Sequence, residues 1–439
     1  MLVLKNNSGT DDNRVRKLDY CIQFSEMFYK RFLKNENITL FSPNEAKDLY
    51  DAFGHEDFDE LYEKYERKTS LKFKKVVSAR KLMSLFIKER VETGRIYFMN
   101  IDHCNQKSAW DDDIKMTNLC VEVLHPTKPL QHIDDKDAEI GICILSAINV
   151  LEINSDPEME KVCDVIVRIL DQLIDYQDYF MPAAENFTKN RRSLGIGITN
   201  FAAYLAKKGV KYDDDEAPNV SDELMEKVQY YLLSSSNNLA QEKGKCNKFH
   251  KTKYSQGWLP IDTYKKEIDE YVTRKHTMDW EGLRKRIKEH GLRHSTVSAI
   301  MPCESSSVIQ CSTNGIEPIR SYITYKKSKA RTLPVIVPNY VGYKNKYTLA
   351  YEMEDNEGLI KIVAALQKWV DMSISANMYY NYAHYEKGAL PDSKVIKEIL
   401  LAYKLGWRTG YYNNTDDGDK QSIGEEEVKD NCESGACAL

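Results

Sequence analysis

Hydrophobic positions along the chain follow two periods. From Asp156 onward, Val162, Val165, Ile166, Ile169, Leu170, Leu173 and Ile174 recur at helical spacing. Asp156-Pro157 supplies an N-cap and a proline at the first helical position. A second amphipathic run covers Leu359 to Ile374. Shorter apolar runs at Arg95–Asp102, Asn118–Leu124, Ile140–Val150, Ser295–Met301 and Thr332–Val337 read as strands. Strands that alternate with longer helices predict an α/β fold with a largely parallel sheet or barrel. No internal repeat is evident.

At 439 residues, 42% hydrophobic and 29% charged, the chain is long enough for a large core and has the composition of a globular protein. A net charge of −5 gives no reason to expect nucleic-acid binding. No apolar run is long enough to span a bilayer, and the N-terminus turns polar too soon for a signal peptide, so no membrane association and a cytoplasmic location are expected. The ten cysteines are scattered without a Cys-x2-Cys pair, and the histidines offer no matching spacing. That pattern predicts neither a disulfide framework nor a zinc site, and no bound metal is expected.

Chemistry is suggested first by Asn118-Leu119-Cys120-Val121-Glu122. In an extended segment, residues two apart point the same way. Asn118, Cys120 and Glu122 would then face one cavity while Leu119 and Val121 pack behind them. A sulfur would sit beside a hydrogen-bonding amide and a proton-carrying carboxylate. For the pentapeptide alone, an ordinary buried strand cysteine explains the pattern equally well. Pro302-Cys303-Glu304-Ser305-Ser306 offers hydroxyls and free N–H groups at a helix start, which suit a phosphate or simply cap a turn. Gly195-Ile196-Gly197 fails as a dinucleotide turn because Asn200 stands where the third glycine belongs.

The final stretch, 413–439, carries eight Asp/Glu against two Lys and few apolar groups, which predicts a mobile tail. It ends with Cys432 and Cys437, two cysteines suited to thiol–disulfide exchange. A linker of about 20 residues from Tyr412 to Cys432 could extend to roughly 70 Å, and its random-coil span is about 25 Å. Either reaches the centre of a domain.

The pentapeptide, the Cys432-Glu433-Ser434-Gly435-Ala436-Cys437 ending and the Tyr411-Tyr412 pair occur together in one chain. With Thr93-Gly94-Arg95-Ile96-Tyr97, Leu259-Pro260-Ile261-Asp262-Thr263-Tyr264 and Thr313-Asn314-Gly315-Ile316-Glu317-Pro318 in order, the chain resembles the large catalytic subunit of class I ribonucleotide reductases. The resemblance implies the C-terminal part of a ten-stranded α/β barrel over 1–412, with the pentapeptide on a central finger loop rather than a strand, followed by a redox-shuttle tail over 413–439. It implies that Cys120 carries a transient thiyl radical, Glu122 acts as general base and Asn118 holds the substrate. Cys143 becomes one of two reducing thiols, Tyr411 and Tyr412 a radical-transfer pair, and Pro302 to Ser306 the diphosphate loop, with Cys303 replacing a more usual hydroxyl residue. Leu119 and Val121 complete the substrate-facing loop.

The same resemblance implies partners. The substrate is a ribonucleoside diphosphate. The radical comes from a small metal-containing subunit, and no cofactor is bound by this chain itself. Cys432 and Cys437 exchange with a thioredoxin or glutaredoxin. Nucleotide effectors and the thiol that pairs with Cys143 belong to a preceding N-terminal portion, so the chain is expected to work as one component of a split large subunit. Two competing readings are a dithiol oxidoreductase, which leaves Asn118, Glu122 and the tyrosine pair unexplained, and a non-catalytic regulatory fragment, which does not require the catalytic residue types.

Overall fold

The computed structural model describes residues 19–327 and 332–416. Its organising feature is an arc of strands. Leu145–Asn149 pairs in parallel with Gly195–Thr199. The segment 296–301 continues the arc through a parallel bridge from Ile196 to Ser298 and a hydrogen bond from Ile196 N to Val297 O (2.9 Å). Ile300 bridges in parallel to Ile374, and Ser375 N donates back to Ile300 O. Met378–Asn381 then pairs in parallel with Asn413–Asp416. Thr409–Gly410 turns the direction by pairing antiparallel with Ile96–Asn100, which runs parallel to Tyr20–Phe24. The arc is not closed. Leu145–Asn149 and Tyr20–Phe24 are its two edges among the described residues.

The α/β expectation is therefore met as a partial barrel, with particular differences. The 295–301 run lies in the arc through isolated bridges, not as a continuous ladder. Only Leu145–Asn149 of the 140–150 run is a strand. Thr332–Ile336 forms an antiparallel hairpin strand with Ile323–Lys327, outside the arc. A second hairpin, Asn37–Phe41 with Lys74–Ser78, is also peripheral. Asn413–Asp416 is a strand, so sheet structure extends into the first residues assigned to the tail. The remaining tail, with Cys432 and Cys437, lies outside the described residues.

Helices cover the outer face of the arc. The 156–176 periodicity forms the helix Asp156–Tyr176, capped by Ser155, whose hydroxyl accepts from Glu158 N. The cap thus sits one residue before the expected Asp156, and Pro157 occupies the first turn, where its missing N–H costs no helical bond. The helix Ala217–Lys243 packs against Asp156–Tyr176 on one side and against Glu357–Gln367 on the other. The second helical run stops at Gln367, and the chain from Met372 onward enters the arc.

Buried polar groups tie these layers together. Asp371 accepts from Gln229 Nε2, the Tyr254 hydroxyl and the backbone N–H groups of Val297 and Ser298. Arg408 donates to the carbonyls of Val370, Asp371 and Met372. These bonds fix the segment that enters the arc just before Ser373 and Ser375. Gly197 is required by close approach, since a Cβ there would lie 2.7 Å from Ala299 O.

Candidate active site

The 118–122 segment forms the tip of a loop inside the arc. Thr117 and Leu124 bridge antiparallel at its base, and Val121 N donates to Asn118 O at 3.2 Å. The extended geometry is thus replaced by a turn, in agreement with the loop that the family resemblance implies. Val121 has φ 62°, a left-handed conformation unfavourable for a β-branched residue. Its side chain is buried, whereas Leu119 at the tip is 55% exposed. Leu119 therefore does not pack behind the polar residues, because a turn breaks the two-residue alternation.

The loop is held from the sheet side. Ser373 N donates to Glu122 O, and Thr409 Oγ1 to Val121 O, both at 2.9 Å. Ser375 Oγ donates to Cys120 O (2.6 Å) and lies 3.0 Å from Glu122 Oε2. Asn118 Nδ2 donates to Glu122 Oε1 at 2.8 Å, while Asn118 Oδ1 accepts from Val123 N. Amide, thiol and carboxylate do cluster, but through a turn cross-linked by Ser375, which the sequence pattern did not reveal.

Burial raises the Glu122 carboxyl above the ordinary range, and the bonds from Asn118 and Ser375 partly offset it. Burial, followed by the Glu122 charge, pushes the Cys120 thiol up to about 11, with a hydrogen bond from Tyr411 acting in the opposite sense. A nucleophilic cysteine needs a lowered pKa. Cys120 instead keeps its hydrogen at neutral pH.

Cys143 lies two residues before the edge strand Leu145–Asn149 begins and is exposed. Surrounding protein, then the Glu122 and Cys120 charges, lift its thiol towards about 12. Because its surface is open to water, solvation offsets part of that rise.

Tyr411 and Tyr412 enter between the antiparallel and parallel halves of the arc. Tyr411 N donates to Ala376 O and Met378 N to Tyr412 O. Their ring centroids are 4.1 Å apart. The Tyr411 hydroxyl donates to Cys120 Sγ at 3.4 Å. Tyr97 packs on both rings, and buried Arg90 donates to the backbone carbonyls of both tyrosines. Tyr97 closes the Thr93–Tyr97 motif, but nothing in the sequence assigned it to this cluster.

The 302–306 turn opens the short helix Glu304–Ile309 at the carboxyl end of the 296–301 segment. Ser305 and Ser306 are exposed, and Pro302 is partly exposed. Cys303 is buried, its Sγ directed at Met301 O (3.7 Å), and its N–H donates to Asn314 Oδ1. Asn314 Nδ2 in turn donates to Glu304 Oε1. The Cys303 thiol is thus held against its own loop and against Thr199, the last residue of the strand Gly195–Thr199. Asn200 follows the carboxyl end of the strand Gly195–Thr199, and Thr313 N donates to Asn200 Oδ1. Crevices at the carboxyl ends of parallel strands are usual ligand sites. Among the described residues, no group of three His, Cys, Asp or Glu is arranged to hold a metal ion, and no helix is long and apolar enough to cross a membrane.

Residues 1–343 and 340–413 match the family model of the ribonucleotide reductase barrel domain. The chain belongs to that family. It is 46% identical over 444 residues to a ribonucleoside-diphosphate reductase subunit alpha of Haemophilus influenzae. It is 48% identical over 447 residues to the Escherichia coli reductase 1 subunit alpha and 40% identical over 449 residues to the subunit of Enterobacteria phage T4. All of this chain aligns in each case, but it spans only 58% to 59% of the length of these relatives.

Proposed function

We propose that this chain is the catalytic-loop-bearing portion of a ribonucleoside-diphosphate reductase large subunit, reducing ribonucleoside diphosphates to 2′-deoxyribonucleoside diphosphates. The observation that carries the reading is the contact of the Tyr411 hydroxyl with Cys120 Sγ beside the Asn118–Glu122 pair. A phenol, a protonated thiol and a buried carboxylate in one cavity suit hydrogen-atom transfer coupled to proton transfer.

The radical is supplied by a small metal-containing subunit. In this chain, Tyr412 and Tyr411 relay the oxidation, and Cys120 gives one hydrogen atom to the Tyr411 phenoxyl oxygen. The Cys120 sulfur then takes the hydrogen on the ribose 3′ carbon. Glu122 accepts the 3′-hydroxyl proton, which requires its ionised form. Asn118 orients both Glu122 and the sugar. The 2′ hydroxyl departs as water, and two electrons come from Cys143 and a second thiol, which end as a disulfide. The Pro302–Ser306 turn holds the diphosphate through backbone N–H groups and the Ser305 and Ser306 hydroxyls. Cys432 and Cys437 restore the dithiol and are themselves reduced by a thioredoxin or glutaredoxin.

The open edges at Leu145–Asn149 and Tyr20–Phe24 support a requirement for a further large-subunit portion. That portion completes the barrel and supplies the second thiol and the effector sites. The test combines this chain with such a portion and the small subunit, and measures CDP reduction for the native chain and for Cys120→Ser. The expected result is turnover only in the full mixture and none with Cys120→Ser. Turnover retained by Cys120→Ser would favour a regulatory fragment and end the catalytic reading.

A further inference from the structure

Tyr97 lies in the Ile96–Asn100 strand, and the register of that strand decides where its ring goes. Thr409 faces Met99 and Gly410 faces Phe98. Continuing the antiparallel count by one residue sets Tyr97 opposite Tyr411, as a cross-strand pair. Their ring centroids are 4.8 Å apart. The same ring meets Tyr412 edge-on, at 5.4 Å and 89°. Edge-to-face packing of this kind fixes ring orientation beyond what burial alone does.

The arrangement is locked from two sides. The buried Arg90 guanidinium donates to the carbonyls of Ile96, Tyr411 and Tyr412, which joins the Tyr97 strand to the tyrosine pair. Tyr97 is itself 2% exposed, so its hydroxyl needs a partner. That hydroxyl lies 3.4 Å from Asp19 Oδ1, and Asp19 pairs with Arg95 Nε at 3.2 Å. Burial first, and then a hydrogen bond with the Tyr412 phenol, raise the Tyr97 pKa, so it stays a neutral donor. Arg95 also reaches the Tyr412 phenol. Tyr412 is only half-buried, so its outer side relies on these contacts.

We propose that Tyr97 is a positioning residue for the phenol pair: its ring holds Tyr411 and Tyr412 in contact, and its hydroxyl ties the outer end of the pair to the Asp19–Arg95 ion pair. The inference rests on the relay reading above. Tyr97 transfers no electron in it. Its work is to keep two phenols at a fixed distance and angle while each in turn is oxidised. A ring without the hydroxyl keeps the stacking but frees the outer phenol; a side chain without the ring frees both.

The test uses the assembled reductase with Tyr97→Phe, Tyr97→Leu and, as a control on the relay, Tyr411→Phe. Tyr97→Phe is expected to lower kcat roughly tenfold, the size of one lost hydrogen bond, with KM for CDP unchanged. Tyr97→Leu is expected to lower kcat further, again without a change in KM. Should Tyr97→Phe keep the native kcat, or lose activity through KM alone, the proposal is overturned. The conservative Phe variant keeps the test decisive if the Leu variant fails to fold. An inactive Tyr411→Phe alongside a native Tyr97→Phe would remove only this inference, whereas an active Tyr411→Phe would remove the relay and this inference together.

Discussion

The Tyr411 hydroxyl donates to Cys120 Sγ at 3.4 Å, although 291 residues separate them along the chain. The contact exists because the 118–122 loop and the strand pair that carries Tyr411 are both anchored to the Ser373–Ser375 segment. Removing the phenol oxygen while keeping the ring isolates its chemistry. Tyr411→Phe is expected to abolish CDP reduction while leaving CDP binding and the melting temperature close to native, as measured by calorimetry.

In the reaction proposed above, Glu122 must be ionised to accept a proton, and its pKa is raised, chiefly by burial. Activity should therefore fall as pH decreases through a value above the ordinary carboxylate range, with the base protonated below it. Ser375→Ala removes a bond that favours the charged form, so the acidic limb of the kcat/KM profile should move to higher pH. Glu122→Gln should lose about 10²- to 10⁴-fold in kcat. An unmoved acidic limb in Ser375→Ala would separate that limb from Glu122.

Asp371 ties the 296–301 segment to Gln229 of the helix Ala217–Lys243 and to Tyr254, and burial raises its carboxyl to about 6 despite the bonds it accepts. A raised carboxylate pKa means the folded state holds the proton more tightly than the unfolded one. This contribution to stability is fully present below about pH 4 and is lost as pH rises through 6, amounting to roughly 3 kcal/mol. Asp371→Asn should flatten that part of the stability–pH curve, measured by urea unfolding from pH 4 to 7.

Gly410 lies under the Phe98 ring, where a Cβ would come within 2.1 Å of Cε1. Gly410→Ala should cost about 1–3 kcal/mol by overpacking. Because Tyr411 follows directly, kcat should fall more than the unfolding data alone would suggest.

Replacing Cys432 and Cys437 together with Ser should abolish turnover supported by thioredoxin or glutaredoxin. Turnover driven by a small dithiol that reaches the proposed Cys143 disulfide directly should remain. Equal activity with both reductants would exclude a shuttle role for the tail.

Local patterns were legible where one element buries one face. The 156–176 helix was readable because its apolar stripe and proline-bearing first turn are local properties. The strand at Ile96–Asn100 was readable because it is buried on both sides and apolar or aromatic up to its last residue. The reading failed at Asn118–Leu124, where alternation of polar and apolar residues suggested a strand. The left-handed Val121 and the bonds to Ser373, Ser375 and Thr409 make that segment a turn, and all three partners are distant in sequence. The 295–301 run was placed in the sheet correctly, yet its pairing is made by isolated bridges to strands on either side.

What the sequence determined alone was the chemical inventory: a thiol between an amide and a carboxylate, two adjacent phenols, and a motif order that belongs to one family. Residue identity and spacing encode these directly. Only the tertiary structure decided that Ser375 braces the thiol loop, that Tyr97 stands against the phenol pair, and that the Cys303 thiol is buried against Met301 and Thr199. Those relations depend on strand register and on hydrogen bonds between remote segments, which no local periodicity carries.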